Sequence, residues 1–266
     1  MVGALCSVLI LTAGANLYAQ GRGGPPPGPP PVPKAAAPVD LTGYWVSLVT
    51  EDWRYRMVTP PKGDYESVPL NPEGKKVADA WDPAKDESAG EQCKAYGAAA
   101  VLRLPGRLHI TWQDDNTMKL ETDAGTQTRI FPFGEPKSQG GDWQGVSTAV
   151  WDRPGSPFGF PFGLGARGGP TGGSLKVATA KMKPGYLRRN GVPYSANAAM
   201  TEYFDRFDLP GSDIIVNGLA VPPTSLLVVT TELTDPTYLF QPFWTSTHFK
   251  KQADASGWNP TPCSAR

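Results

Sequence analysis

Histidine and cysteine are scarce in this chain, with two and three copies among 266 residues. No short ligand spacing joins them: the cysteines form no CxxC pair, so a zinc site has no motif to rest on. Net charge is lacking as well. Lys plus Arg and Asp plus Glu each total 25, and charged residues make up only 19%, below the roughly 25% of an average soluble domain. A balanced chain offers no electrostatic case for a nucleic-acid or anionic-membrane partner. Long apolar runs are missing too. The one present, Val2 to Ala19, falls short of the roughly 20 residues that span a bilayer. Three catalytic signatures are also absent. Gly145-Val146-Ser147 has Ala149 where a nucleophile elbow needs glycine, there is no Walker loop, and Gly163 to Gly168 neither follows a strand nor opens a helix.

What the chain has is glycine (30), proline (29) and 10% aromatic residues, eight of them tryptophan. The first two favour turns over long helices, and the aromatics supply material for a core. The opening apolar run, with small residues before Ala19-Gln20, reads as a secretory signal over 1–19. It has no basic residue ahead of it, and Gly3-Ala4-Leu5-Cys6 makes a poor lipoprotein box. Residues 20–39 follow as a Pro/Gly-rich linker, where stacked prolines favour an extended spacer. This predicts a periplasmic or secreted protein with no stable membrane insertion after cleavage. Two cysteines then remain, Cys93 and Cys263, and an even count in an oxidising compartment predicts one disulfide.

Residues 40–266 show no internal composition shift and read as one domain. A single short helix is expected over 71–81, where Asn71 caps, Pro72 occupies the first turn and Pro83 ends the run. Elsewhere the period is two. Leu108, Ile110 and Trp112 alternate with His109 and Thr111, and turns at Asp114-Asp115-Asn116 and Asp123-Ala124-Gly125 join three strands into a meander. Which face of the 107–112 strand lines a lumen is left open by the pattern. With 41–50, 143–151, 174–182, 200–207, 225–233 and 244–250, the expectation is an all-β, antiparallel up-and-down barrel of about eight to ten strands, since closure removes exposed edges. Long Gly/Pro-rich loops connect them, including a glycine-rich excursion over 154–173.

Asp40-Leu41-Thr42-Gly43-Tyr44-Trp45 resembles the Gly-x-Trp opening strand of lipocalin-type (calycin) barrels. The resemblance implies a tryptophan plugging the closed end and a late basic residue, Lys250 or Lys251, packed across it. The chain is also similar to exported bacterial proteins of unassigned activity that begin with this strand. It departs from lipocalins in its length, the 71–81 helix and the glycine-rich excursion.

Candidate chemistry is sparse. His109 and His248 are the side chains with ordinary pKa values nearest neutrality, and Glu202 or Tyr194 are the acids that would serve them. A metal site from both histidines and Glu202 lacks ligand spacing, so no metal and no cofactor is expected. Tyr186, Arg188, Arg189 and Tyr194 lie on one polar, aromatic loop suited to clamping an anionic or aromatic ligand. Tyr203 and Arg206 belong to the mixed strand 201–207, and Arg129 to the third meander strand. The leading expectation is a barrel that binds a small, partly apolar or aromatic molecule at its mouth. The alternatives are a cofactor-independent lyase, isomerase or hydrolase in the same cavity, and an envelope-associated interaction protein.

Overall fold

The computed structural model describes residues 31–152, 173–216 and 219–265. The expected leader, most of the linker and the excursion over 154–172 lie outside the described residues. In chain order the strands are β1 (Gly43–Leu48), β2 (Arg107–Asp114), β3 (Thr117–Thr122), β4 (Gln127–Pro132), β5 (Val146–Asp152) and β6 (Ser174–Ala180). Then come β7 (Gly185–Arg188), β8 (Val192–Tyr194), β9 (Ala199–Leu209), β10 (Ser212–Val216), β11 (Leu219–Val221), β12 (Thr224–Thr234) and β13 (Phe243–Lys251). Nine of these form one antiparallel sheet in the order β4-β3-β2-β1-β13-β12-β9-β6-β5. The sheet curls into a nearly closed barrel, compatible with a lipocalin-like fold. Two small hairpins, β7-β8 and β10-β11, stand outside it.

The strand count fixes where the barrel fails to close. A row of nine strands contains an even number of antiparallel reversals, so its two ends, β4 and β5, run in the same direction. They pack side by side without a ladder. The connection between them must return along the whole barrel, and residues 133–145 do so. Phe133 N–H donates to the Asn116 carbonyl at 2.8 Å, Gly141 N–H to that of Lys181 at 3.0 Å, and Ala98 N–H to that of Trp143 at 2.9 Å. For this reason β5 begins at Val146 and not at Trp143.

Alternation decides the interior. Leu108, Ile110, Met118, Leu120, Phe131, Val177, Phe204, Leu227, Val229 and Phe249 all point inward and join one buried apolar cluster. Trp112 packs against it. The open question about the 107–112 strand is thus settled: the apolar face fills the lumen and His109 faces out. Trp45 is fully buried, donates its indole N–H to the Leu41 carbonyl at 2.9 Å, and carries the Lys251 ammonium 4.5 Å from its ring centre. The basic residue that the resemblance placed across the tryptophan is Lys251.

The opposite end of the barrel is capped. Helix α1 (Trp53–Arg56), α2 (Pro72–Asp79) and α3 (Pro83–Ser88) lie in the segment between β1 and β2. The expected helix is α2: Asn71 accepts from Gly74 N–H at 2.9 Å and Pro72 opens the first turn. Two shorter helices, of four and six residues, accompany it, because their patterns are too brief to show a 3.6-residue period. The cap meets the β7-β8 hairpin in a second apolar core built from Leu70, Ala78, Leu187, Val192, Tyr194 and Leu239. At the hairpin turn Gly191 has φ +83°, and a Cβ there would sit 2.1 Å from the Trp81 ring. Only glycine meets both demands. Cys93 and Cys263 are disulfide-bonded, which fastens the C-terminal tail to the cap.

Candidate functional site

Among the places that combine polar groups with space, three hold a buried charged group or large exposed rings. The first lies under the unpaired edge between β4 and β5. Arg129, 1% exposed, reaches across from β4 and donates to both carboxylate oxygens of Glu202 on β9 at 2.8 and 2.6 Å. Its Nη2 also meets Thr179 Oγ1 at 3.3 Å, and that hydroxyl lies 2.8 Å from Ser147 Oγ. Side chains from β4, β5, β6 and β9 thus join where backbone pairing is missing. A cavity of about 130 Å³ lies beside them, lined by Arg129, Thr128, Gln144 and Ser147. Burial of an ion pair at this depth is tolerated because both Nη groups and both carboxylate oxygens are bound, which leaves Arg129 Nε without an acceptor among the described residues.

The second place lies between cap and hairpin. Arg56, Arg103, Arg188 and Arg189 line a cavity of about 20 Å³. Arg56 pairs with Glu51, Arg103 with Asp52, and Arg188 lies 4.1 Å over the Tyr55 ring while donating to Ser67 Oγ at 3.2 Å. Burial first, then the neighbouring Arg103 charge, pushes the Arg56 guanidinium down to about 10 and lowers that of Arg188.

The third place is a groove of about 620 Å³ at the rim of the capped end, where the β12-β13 connection meets the cap. Phe240 and Trp244 border it with 69% and 56% of their surface exposed. Tyr65, Glu66, Lys75 and Gln241 complete its walls.

The residues expected from sequence divide among these places and the outer wall. Glu202 and Arg129 come together, and Arg188 and Arg189 share the arginine cavity. Tyr186 does not line that cavity. It donates to Asp86 at 2.8 Å beside Lys94, and burial followed by the Asp86 hydrogen bond raises its phenol above the usual range. Tyr194 sits 1% exposed in the second core with no partner for its hydroxyl among the described residues. Burial raises it likewise. Gly97 backs that hydroxyl: a Cβ there would lie 2.3 Å from the oxygen. Tyr203 faces outward with Lys176 5.4 Å from its ring centre. Arg206 lies at the other end of the barrel, donating to the Asp40 carbonyl at 2.7 Å and pairing with Asp208 at 2.9 Å.

Neither histidine shares a cavity with Glu202. His109 stacks on Tyr44 at 4.1 Å, edges toward Trp258 and lies 3.3 Å from Glu121. It helps seat the C-terminal tail on the outer wall. His248 lies 2.8 Å from Thr50 Oγ1, 3.1 Å from Ser246 Oγ and 3.4 Å from Glu51. The proton-transfer set expected from sequence is therefore dispersed over two outer faces and two interiors. Among the described residues no group of three or more His, Cys, Asp or Glu side chains is placed to hold a metal.

Sequence reasoning passed over Tyr55, Arg56 and Arg103, although Trp53-Arg54-Tyr55-Arg56 alternates aromatic and basic residues. It also passed over Phe240, whose signal is an apolar ring on a turn between strands. No protein-family model, curated protein or solved structure matches the chain.

Proposed function

We propose that this protein is an exported, lipocalin-like carrier that binds a small, partly aromatic molecule in the rim groove. The observation that carries the reading is the pairing of a groove of about 620 Å³ with two large rings, Phe240 and Trp244, left largely uncovered on its border. Ligand pockets usually occupy roughly 300–1,000 Å³ and combine aromatic walls with a few polar groups, here Glu66, Ser67, Lys75 and Gln241. The lumen is filled by its own apolar side chains, so the mouth, and not the interior, is the place for a guest. Export is supported by the apolar leader and by the Cys93–Cys263 bond, since such bonds persist in oxidising compartments. No described helix is long and apolar enough to cross a membrane. The Gly43-Tyr44-Trp45 strand with Lys251 over the indole favours the lipocalin-like reading over other barrels.

An anilinonaphthalene sulfonate dye tests it, because its aromatic body suits Phe240 and Trp244 while its sulfonate suits Lys75. Titration followed by dye fluorescence is expected to show one site, with Trp244→Ala and Phe240→Ala each weakening it about tenfold, the equivalent of about 1.4 kcal/mol. Equal affinity in wild type and both variants would overturn the assignment.

A further inference from the structure

The arginine cavity carries an inference independent of the rim groove. Four guanidinium groups line it, and no carboxylate does. Glu51 and Asp52 each hold one arginine, Arg56 and Arg103. Asp64 and Glu66 are engaged by the exposed Arg54 at 3.2 and 3.5 Å. Arg188, with only 7% of its surface exposed, forms no ion pair among the described residues. Its guanidinium lies over the Tyr55 ring, 4.1 Å from the ring centre, and is tethered by Ser67.

Three buried N–H groups of the arginines that line this cavity have no acceptor among the described residues: Nη1 of Arg103, Nη1 of Arg188 and Nε of Arg189. A buried donor without an acceptor is costly, and more so on a charged group. Water would satisfy the hydrogen bonds and leave the charge. An anion satisfies both. Size then chooses among anions, since about 20 Å³ is little more than the roughly 10–15 Å³ needed for one water-sized sphere.

We propose that Arg103, Arg188 and Arg189 form a binding site for a single small inorganic anion of chloride size. The anion would complete the joint between the cap and the β7-β8 hairpin, because its donors come from both. Arg103 belongs to the cap segment, while Arg188 and Arg189 belong to the hairpin.

Thermal unfolding in sodium chloride against sodium gluconate at matched ionic strength is the test. In wild type, chloride at about a hundredfold over its dissociation constant is expected to raise Tm by about 5–10 °C. Arg188→Gln is expected to abolish that gain. No chloride-specific gain, a gain that survives Arg188→Gln, or a gain from sulfate alone would overturn the proposal. If Arg188→Gln does not fold, wild-type crystals soaked in sodium bromide decide the matter. An anomalous peak between Arg103 and Arg188 supports the site, and a cavity without one overturns it.

Discussion

In the barrel wall most buried side chains are apolar, and Arg129 with Glu202 is the one fully buried ion pair among the described residues of its strands. At the capped end, by contrast, Arg56 and Asp86 of the cap and Arg188 of the hairpin are buried at 8%, 6% and 7% exposure, each held by named partners. The wall gains its cohesion from ladders and from alternation, which many sequences satisfy equally well. The capped end has short helices, strands of four and three residues and long connections, so it relies on particular contacts: a disulfide, an arginine over a tyrosine ring and a glycine under an indole. Regular structure is robust but chemically uniform. The irregular end carries both proposed sites because there four arginines and two exposed rings border open space.

The difference can be broken most severely at its staple. Cys93 and Cys263 are 170 residues apart in sequence, and a loop of that length corresponds to about 5 kcal/mol in the chain-entropy description. Replacing both with alanine is expected to cost most of that in urea unfolding, with protease sensitivity appearing first in 49–106. A loss below about 1 kcal/mol would mean the cap stands without it.

Arg129→Met attacks the one place where the wall behaves like the cap. Stranding Glu202 inside the barrel should cost about 3–5 kcal/mol, while the double change Arg129→Met with Glu202→Met should recover most of it. Urea unfolding of the wild type and the two variants measures this. If the double variant is as unstable as the single one, the pair holds the β4/β5 edge shut through specific hydrogen bonds and not merely through mutual neutralisation.

Gly191→Ala places a side chain both at φ +83° and against Trp81. A loss of about 1–3 kcal/mol is expected, accompanied by a change in the near-ultraviolet circular dichroism of the indole. The smallest effect concerns acid. Hydrogen bonds from Lys94 and then Lys183 hold the Glu91 carboxyl below its ordinary 4.5. Its contribution is therefore complete above that value and lost as pH falls through the lower folded one. Because Glu91 is partly exposed, Glu91→Gln should remove less than about 1 kcal/mol at pH 7 and nothing near pH 2. Melting curves across that range measure it.

Much of the wall was legible in the sequence because its signal is local. A strand repeats every two residues, so Leu108, Ile110 and Trp112 announce a buried face without any knowledge of their partners, and Asp114-Asp115-Asn116 announces the reversal. Asn71 accepting from Gly74 N–H is equally local, which is why α2 was readable. The β7-β8 hairpin was read as a loop, since strands of four and three residues are too short to display a period. The candidate site was legible only in residue type. Arg188 and Arg189 were singled out, but Tyr55 and Arg103, more than 80 positions upstream, carry no mark in the chain that ties them to the hairpin.

By itself, the order of amino acids determined an all-β chain, the alternating faces of its strands, the cap of α2 and the pairing of Cys93 with Cys263, the two cysteines that follow Cys6. Tertiary structure decided the rest: that nine strands leave β4 and β5 parallel and unladdered, that Arg129 crosses to Glu202 there, that both histidines face outward, and that four arginines meet around one small space. The physical reason is range. Period and capping act over a few residues, whereas parity, cavity shape and charge convergence exist only once segments far apart in the chain are brought side by side.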